Sequence, residues 1–403
     1  MFALFLLALL ALFPQPIFEE NIFFVLAFLF ISMILSWRKE TRNIDYLDVI
    51  LFIFIVIISL GLLHSQDISI SLRRHSLTYL PLIFVYLISK NQQKDSYILM
   101  MKTMFFVGLA VSLFMIYEFY SGKNFLMEHV LKNSFFKNLY FYKNRAFGIF
   151  YHPTIAGAYL VMCLPIAKLF LSDKDNKVNP IIGSAAFIFI SAAIIVTLDK
   201  MAWFVMLGIY LWFLRESNSY FYRSLWISFL VILVTLFLKF NVFNLYFKPY
   251  FISTAINCRL EAFSVAARML MKHPFIGVGL DHFRLLYLNY GGDPGLGYTV
   301  RIPDNMYLTI LVESGVISFA SITVFIILLI KRAFKALNNI KHESERNLLN
   351  TALASFIAGA MHSFSYDSFY WFSILVMFWI FAGLIARLTQ DPARPTTITL
   401  PLE

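Results

Sequence analysis

The chain has 403 residues, of which 60% are hydrophobic and only 14% charged, and its mean hydropathy is +0.74. These values lie far outside the range of soluble domains and exclude a soluble globular fold. The formal net charge of +10 is spread over loops between apolar runs, and no nucleic-acid-binding motif accompanies it, so it does not indicate a nucleic-acid partner. The composition predicts an all-α, polytopic integral membrane protein.

Apolar runs long enough to cross about 30 Å of hydrocarbon as helices predict about 12 transmembrane spans. The first run lacks a basic leading segment and a small-residue cleavage site, so we interpret it as a retained helix and not as a signal peptide. The predicted spans are, in chain order, 2–18, 21–36, 47–63, 76–89, 97–119, 153–171, 180–198, 201–214, 221–239, 307–330, 347–365 and 369–387.

The Lys and Arg residues of the short loops predict the orientation of the chain. With the N-terminus in the cytoplasm, the short outer loops hold only Arg73, Arg74 and Lys200, whereas the cytoplasmic loops hold many more basic residues. This arrangement places both termini in the cytoplasm, as an even number of spans requires.

One integral membrane domain is predicted over 1–390, followed by a disordered cytoplasmic tail over 391–403. Two long connections, at about 120–152 and 240–306, then face outward. Both carry basic residues that the orientation rule does not explain, which favours an anionic ligand on the outer side.

The outward segment 240–306, between spans nine and ten, is predicted to be largely helical. Its apolar residues share one face of an amphipathic helix, which suits a helix that lies on the membrane or covers the bundle: Leu260, Phe263, Ala267, Leu270 and Met271. Gly277 and Gly279 end this helix, and Asp281 is placed to cap a second, short helix that runs to about Asn289.

Four short motifs follow one another between about residues 145 and 320, and all are predicted on the outer side. Each is weak alone, but their order and spacing make the set fairly specific. They are Arg145–Gly148 with Phe150, His152 and Pro153; Thr197–Lys200; Arg259 with His273–Leu280; and Asp304–Leu308 with Glu313–Gly315.

This set resembles the O-antigen ligase and O-antigen polymerase superfamily, whose members are multispanning bacterial enzymes that act on undecaprenyl-diphosphate-linked glycans at the outer face of the inner membrane. Two positions depart from the family pattern. The family usually has a basic residue, often Arg, at the head of the eighth span, where this chain has Lys200, which keeps the charge but loses the bidentate fork of Arg. The family also has His at the position of Asp304.

The chemistry of glycan transfer points to the same residues. A departing diphosphate needs fixed cations, for which Arg259 and Lys200 are the first candidates and Arg145 the third. The attacking hydroxyl needs a base or an oriented acceptor, and Asp304 is the candidate. Because nearby arginines depress the pKa of a carboxyl group, we expect Asp304 to be a weaker base than histidine.

Further polar residues near the motifs are predicted to bind substrate: Arg145, His152, Asn305, Tyr307, His362 and Asp367. Structural roles compete for several positions. Asp304 can cap the tenth span, Lys200 can be an interfacial lysine, and Glu313 suits a structural ion pair or hydrogen bond within the tenth span. Arg73 and Arg74 are interpreted as headgroup contacts.

The sequence and the resemblance together predict a metal-independent, inverting glycosyltransferase without cofactors. It is expected in the bacterial inner membrane, with its active site facing the periplasm. The expected partners are an undecaprenyl-diphosphate-linked glycan as donor, lipid A-core as acceptor and membrane lipids, which describes an O-antigen ligase. The alternatives are a polymerase, whose acceptor is a second lipid-linked glycan, and a transporter or flippase for a lipid-linked oligosaccharide, which requires broken helices with charges near mid-membrane.

Overall fold

The computed structural model describes residues 22–36, 44–92, 94–124, 145–150, 152–172, 179–214, 219–239, 241, 249–295 and 302–390. Every regular element in these ranges is helical, which confirms the predicted all-α class. The predicted first span, most of the outer segment 120–152 and the predicted tail 391–403 lie outside the described residues.

The α-helices are numbered in chain order over these ranges. They are α1 (Ile22–Ser36), α2 (Tyr46–Gly61), α3 (Ile68–Arg74), α4 (Leu80–Lys90), α5 (Lys94–Ser121), α6 (Pro153–Ser172), α7 (Pro180–Val196), α8 (Lys200–Phe213), α9 (Ser219–Leu238), α10 (Pro249–Lys272), α11 (Phe283–Leu286), α12 (Met306–Asn339), α13 (Glu343–His362) and α14 (Phe372–Leu388). A π-helical stretch, His75–Tyr79, joins α3 to α4, and short 3-10 turns follow α2, follow α11 and precede α14.

Four stretches in the described residues are long and apolar enough to cross a membrane: Tyr46–His64, Asp95–Ser121, Pro153–Leu171 and Met306–Asn339. Apolar stretches of α1, α7, α8, α9 and α14 are shorter. Each predicted span except the first overlaps a described helix. The count of about 12 spans stays a prediction, because it depends on length and apolarity near the lower limit for crossing.

The core of the bundle is formed by α6 and α14. Every residue from Phe372 to Ala386 is buried, and 94% of the apolar window of α6 is buried. α14 packs on α4 and α13, and α6 packs on α7 and α13. The outer helices instead leave large apolar side chains uncovered, such as Trp226 (71% exposed) on α9, as expected for surfaces in contact with lipid.

Two ion pairs tie the helices together at one end of the bundle. Lys90 pairs with Asp48, and Arg332 pairs with Asp45 while its Nε donates to the carbonyl oxygen of Thr389 at 3.1 Å. These residues belong to the end for which the loop charges predict the cytoplasm. The motif residues lie at the opposite end, hereafter the site end.

The amphipathic helix of the outer segment is α10, but its packed face differs from the predicted one. It packs through Ala262, Val265, Ala266 and Met269, all buried. The face predicted from the larger apolar residues points outward instead, with Leu260 (59%) and Met271 (75%) exposed. The small residues allow close approach to α12, and the large ones are left for a membrane surface.

Candidate active site

The motif at 273–280 and the motif at 313–315 bind each other through their backbones. α12 is interrupted at Gly315, whose φ of 80° and ψ of 174° are not helical. The loop after α10 fills the interruption with three hydrogen bonds: Val278 N to Val312 O (3.0 Å), Gly279 N to Glu313 O (3.0 Å) and Val316 N to Pro274 O (2.8 Å). The loop thus satisfies backbone groups that a broken helix would otherwise leave unpaired.

Two glycines make this contact possible. A Cβ on Gly315 would lie 2.1 Å from the carbonyl oxygen of Phe275, and a Cβ on Gly277 would lie 2.4 Å from the carbonyl carbon of Glu313. Both residues also have φ near +80°. Only glycine combines this conformation with so close an approach of two backbones.

Glu313 organises the start of α11, which confirms its predicted structural role. Its carboxylate accepts the backbone N–H groups of Asp281 (2.8 Å) and Phe283 (3.2 Å) and the hydroxyl of Tyr370. The prediction that Asp281 caps a helix to about Asn289 is wrong. α11 ends at Leu286, and Asp281 lies before it with φ of 61°.

Arg74 contacts other protein side chains. Its Nη2 lies 2.9 Å from Asp281 Oδ2, and its guanidinium carbon lies 3.9 Å from the centre of the Tyr370 ring. Arg73 is exposed. The adjacent arginines thus point in different directions, and the headgroup interpretation is wrong for Arg74.

Asp304 lies two residues before the start of α12 and has a left-handed conformation, with φ of 47°. The capping role belongs to Asn305, whose Oδ1 accepts the N–H of Leu308 at 3.0 Å. Asp304 is therefore available for another contact. Its Oδ2 lies 3.9 Å from Nε of Arg259 on α10, and the side chains of Asp304 and Arg259 are 31% and 48% exposed.

The expectation that arginines depress the pKa of Asp304 is wrong. Burial and the nearby negative charge of Asp367 raise that pKa to about 7, and the opposing effects of Arg259 and Arg284 are smaller. A carboxylate with such a pKa is a much better base near neutral pH than an ordinary aspartate.

Tyr307 and Asp367 connect the start of α12 to the end of α13 and to the segment that follows it. Thr309 Oγ1 donates to Asp367 Oδ1 at 2.6 Å, and the Tyr307 hydroxyl donates to the carbonyl oxygen of Ala360 at 2.9 Å. Burial raises the pKa of Asp367. These bonds fix the backbone that carries Asp304.

Lys200 follows a tight turn between α7 and α8. Arg145 Nε donates to the Thr197 carbonyl oxygen at 2.7 Å, and Leu198 has φ of 54°. Asp199 caps α8, because its Oδ1 accepts the N–H of Met201 at 3.0 Å. Lys200 is the first residue of α8, and its side chain is exposed.

The other oxygen of Asp199 binds His362 at the end of α13. His362 Nε2 lies 2.7 Å from Asp199 Oδ2, and the two side chains are 0% and 8% exposed. Burial opposes ionisation of Asp199, but His362 and then Arg145 outweigh it and lower its pKa. An ionised carboxylate only accepts hydrogen bonds, so His362 Nε2–H is the donor.

His152 stacks on Tyr366, with ring centres 5.3 Å apart. Its Nδ1 accepts the N–H of Thr154 at 3.2 Å. Burial and the charge of Arg145 lower the pKa of His152 to about 3. The ring is therefore neutral at physiological pH and is not an additional cation for a phosphate.

The predicted site residues thus fall into two groups at the site end. The first group surrounds the start of α12 and consists of Arg259, Asp304, Asn305, Tyr307 and Asp367. The turn group surrounds residues 197–200 and contains Arg145, Lys200 and His362. The connection from α13 to α14 joins them, because it carries Asp367 and also Tyr366, on which His152 stacks.

Two charged residues of this site, Asp199 and Arg284, were not predicted from the sequence as site residues. Asp199 lies beside Lys200 in the motif at 197–200, but its partner His362 is 163 residues away in the chain. Arg284 acts on the pKa of both Asp304 and Asp367, and the only signal for it was its place just after the glycine-containing loop. Within the described ranges, no three His, Cys, Asp or Glu side chains gather closely enough to hold a metal ion.

Residues 185–323 match the family model described as O-antigen ligase, which confirms the resemblance that the motifs indicated. The match spans most of α7, all of α8 to α11 and the first half of α12, and it includes Lys200, Arg259 and Asp304. It does not reach Arg145, His152, His362 or Asp367. No curated protein sequence matches the chain.

Proposed function

We propose that this chain, a membrane enzyme of the O-antigen ligase and polymerase superfamily, transfers a glycan from undecaprenyl diphosphate to a sugar hydroxyl of lipid A-core. The observation that supports the proposal is the 3.9 Å distance between Asp304 Oδ2 and Arg259 Nε, which brings a carboxylate near a cation at the site end. Glycan transfer from a diphosphate requires both functions.

In this reaction the acceptor hydroxyl oxygen attacks the anomeric carbon of the donor from the face opposite the diphosphate. A new glycosidic C–O bond forms, and the bond between the anomeric carbon and the diphosphate oxygen breaks. The electron pair leaves with undecaprenyl diphosphate, and the hydroxyl proton passes to the Asp304 carboxylate. The product has inverted anomeric configuration.

Arg259 and Lys200 stabilise the negative charge that develops on the leaving diphosphate. Both side chains are exposed at the site end, on α10 and at the start of α8 respectively. Arg145 supports Lys200 through the Thr197 carbonyl oxygen. No metal is needed when fixed cations neutralise this charge.

A transport role finds less support. α12 is a broken helix with a charged residue near the break, as transporters often have. However, the backbone of residues 274–279 fills the break, and Glu313 already binds two N–H groups and a hydroxyl. The break itself is therefore occupied by protein groups and is not open to a transported substrate.

The test is glycan transfer by the purified protein in nanodiscs, with a lipid-linked donor and either lipid A-core or a second lipid-linked glycan as acceptor, each with and without chelator. We expect metal-independent transfer to lipid A-core with inversion. Chain extension of the second acceptor alone would identify a polymerase, and donor flipping without transfer would identify a transporter.

The outward position of the site has its own test. Cys258 is partly exposed and adjacent to Arg259, whereas Cys163 is buried. A membrane-impermeant thiol reagent applied to intact spheroplasts is expected to label Cys258. Labelling that occurs only after the membrane is opened would place the site on the cytoplasmic side and end the proposed mechanism.

A further inference from the structure

The first relevant observation is that both oxygens of Asp199 accept hydrogen bonds from groups other than the Lys200 ammonium. Oδ1 accepts the N–H of Met201 at 3.0 Å, and Oδ2 accepts Nε2–H of His362 at 2.7 Å. The imidazole is wholly buried, so its position is set by α13 and not by solvent. The carboxylate is thus held from two directions.

The second observation is that Asp199 directly precedes Lys200, which is exposed at the first position of α8. A carboxylate in the residue next to a lysine can compete with an incoming anion for the ammonium group, since opposite charges attract. An aspartate in this position is therefore expected to weaken the binding of phosphate to the lysine.

The third observation is that the turn is held in an unusual conformation. Leu198 has positive φ, and Arg145 binds the carbonyl oxygen of Thr197. Gly157 of α6 also packs tightly on this turn, because a Cβ there would lie 2.9 Å from Asp199 Oδ2. Several helices thus fix the direction of one carboxylate.

We infer that His362 is a positioning residue that holds the Asp199 carboxylate away from Lys200, so that this carboxylate does not compete with the donor diphosphate for the Lys200 ammonium. This inference rests on the proposed role of Lys200 in donor binding. A purely structural hydrogen bond between α8 and α13 would not involve Lys200. In the inferred role, by contrast, the effect of replacing His362 on donor binding depends on the negative charge of Asp199.

The test measures KM for the lipid-linked donor and kcat in nanodiscs. His362→Phe removes the hydrogen-bond donor and releases the carboxylate toward Lys200. We expect KM for the donor to rise about tenfold or more, the scale of one charged hydrogen bond, with a smaller change in kcat. His362→Gln retains an N–H donor and is expected to recover most of the loss.

The decisive variant is the double substitution Asp199→Asn with His362→Phe. Asn still caps α8 but carries no charge to compete for Lys200. We expect KM to return to within about threefold of the wild-type value. A structural link predicts no recovery, because both partners are then lost.

A second double substitution ties the effect to Lys200. With Lys200→Ala in place, adding His362→Phe is expected to raise KM no further, because the two changes act on one interaction. The matched control is Asn350→Leu, which removes the 2.9 Å hydrogen bond from Trp212 Nε1 that links α8 and α13 elsewhere. This control is expected to leave KM unchanged.

Three results would overturn the inference: an unchanged KM in His362→Phe, no recovery in the double variant with Asp199→Asn, or a further rise in the Lys200→Ala background. If His362→Phe does not yield folded protein, His362→Leu replaces it in each combination. A normal KM in Lys200→Ala alone removes the diphosphate role of Lys200, whereas absence of transfer by the wild-type protein contradicts the proposed function itself.

Discussion

Arg74 and Asp281 form a 2.9 Å ion pair that joins the end of α3 to the loop between α10 and α11. Beside them, Glu313 and Tyr370 meet in a polar cluster in which Arg74 is the cation. The outer loop is thus attached to the bundle by charge as well as by the backbone contacts at Gly315. This attachment fixes α11, and with it Arg284, near Asp304.

Replacing Arg74 with Ala is expected to loosen this loop. Loss of a buried partner costs about 3–5 kcal/mol, but Asp281 is 39% exposed and is solvated in part, so we expect about 1–2 kcal/mol of destabilisation. Thermal unfolding and protease cleavage between α10 and α12 measure it. Arg73→Ala, next to it and exposed, is the control. Equal effects in both variants would show that the pair does not hold the loop.

The backbone contact between the two motifs predicts a strict requirement for glycine at position 315. Gly315→Ala places a Cβ against the carbonyl oxygen of Phe275 and forces φ near +80° on alanine, so we expect a loss of at least about 3 kcal/mol. Gly208→Ala on α8 is the matched control, since nothing lies within 4 Å of its Cβ position. Melting temperature and yield of monodisperse protein provide the comparison. Normal stability of the Gly315→Ala variant would mean that α12 is not broken as described.

Removing Arg259 is expected to affect chemistry and not folding, because its side chain is 48% exposed. Arg259→Ala should cost roughly 2–4 kcal/mol of transition-state stabilisation, read from kcat/KM, and Arg259→Lys should recover only part of it. Lys272→Ala removes an exposed cation at the C-terminal end of the same helix and serves as the control. Full activity of Arg259→Ala would end the diphosphate assignment.

The raised pKa of Asp304 predicts the pH dependence of transfer. A base acts only when unprotonated, so the rate is expected to rise with pH through about 7 and to level off above it. Asp367→Asn removes a negative charge that raises this pKa, while its amide oxygen still accepts from Thr309. The rising limb should therefore move to lower pH. A limb that stays in place would show that Asp367 does not act on the base.

Much of the architecture could be predicted from the sequence because hydropathy, loop charge and motif order are local or additive signals. They indicated the all-α class, the resemblance to the superfamily and most of the candidate site residues. The site geometry depends on contacts between distant segments, which such signals do not contain. The pairing of Asp199 with His362 and the insertion of the Phe275 loop into α12 are examples.

Electrostatics were the least predictable part of the site. The arginines near Asp304 suggested a low pKa, but burial and Asp367 have the larger effect. The sequence also did not predict which residues have a strained backbone conformation. Leu198, Asp281 and Asp304, the non-glycine residues with positive φ among those described, all lie at the site end. Such strain is common at functional sites, where surrounding contacts hold it in place.

The central claim is that Asp304 is the base, and the most direct measurement is single-turnover glycan transfer by Asp304→Asn at saturating donor, with donor binding measured separately. Asn keeps the size of the side chain and tolerates the left-handed backbone, but it cannot take a proton. We predict transfer reduced by roughly 10²–10⁴-fold with donor affinity nearly unchanged. Transfer by the Asp304→Asn variant at the wild-type rate would contradict this account.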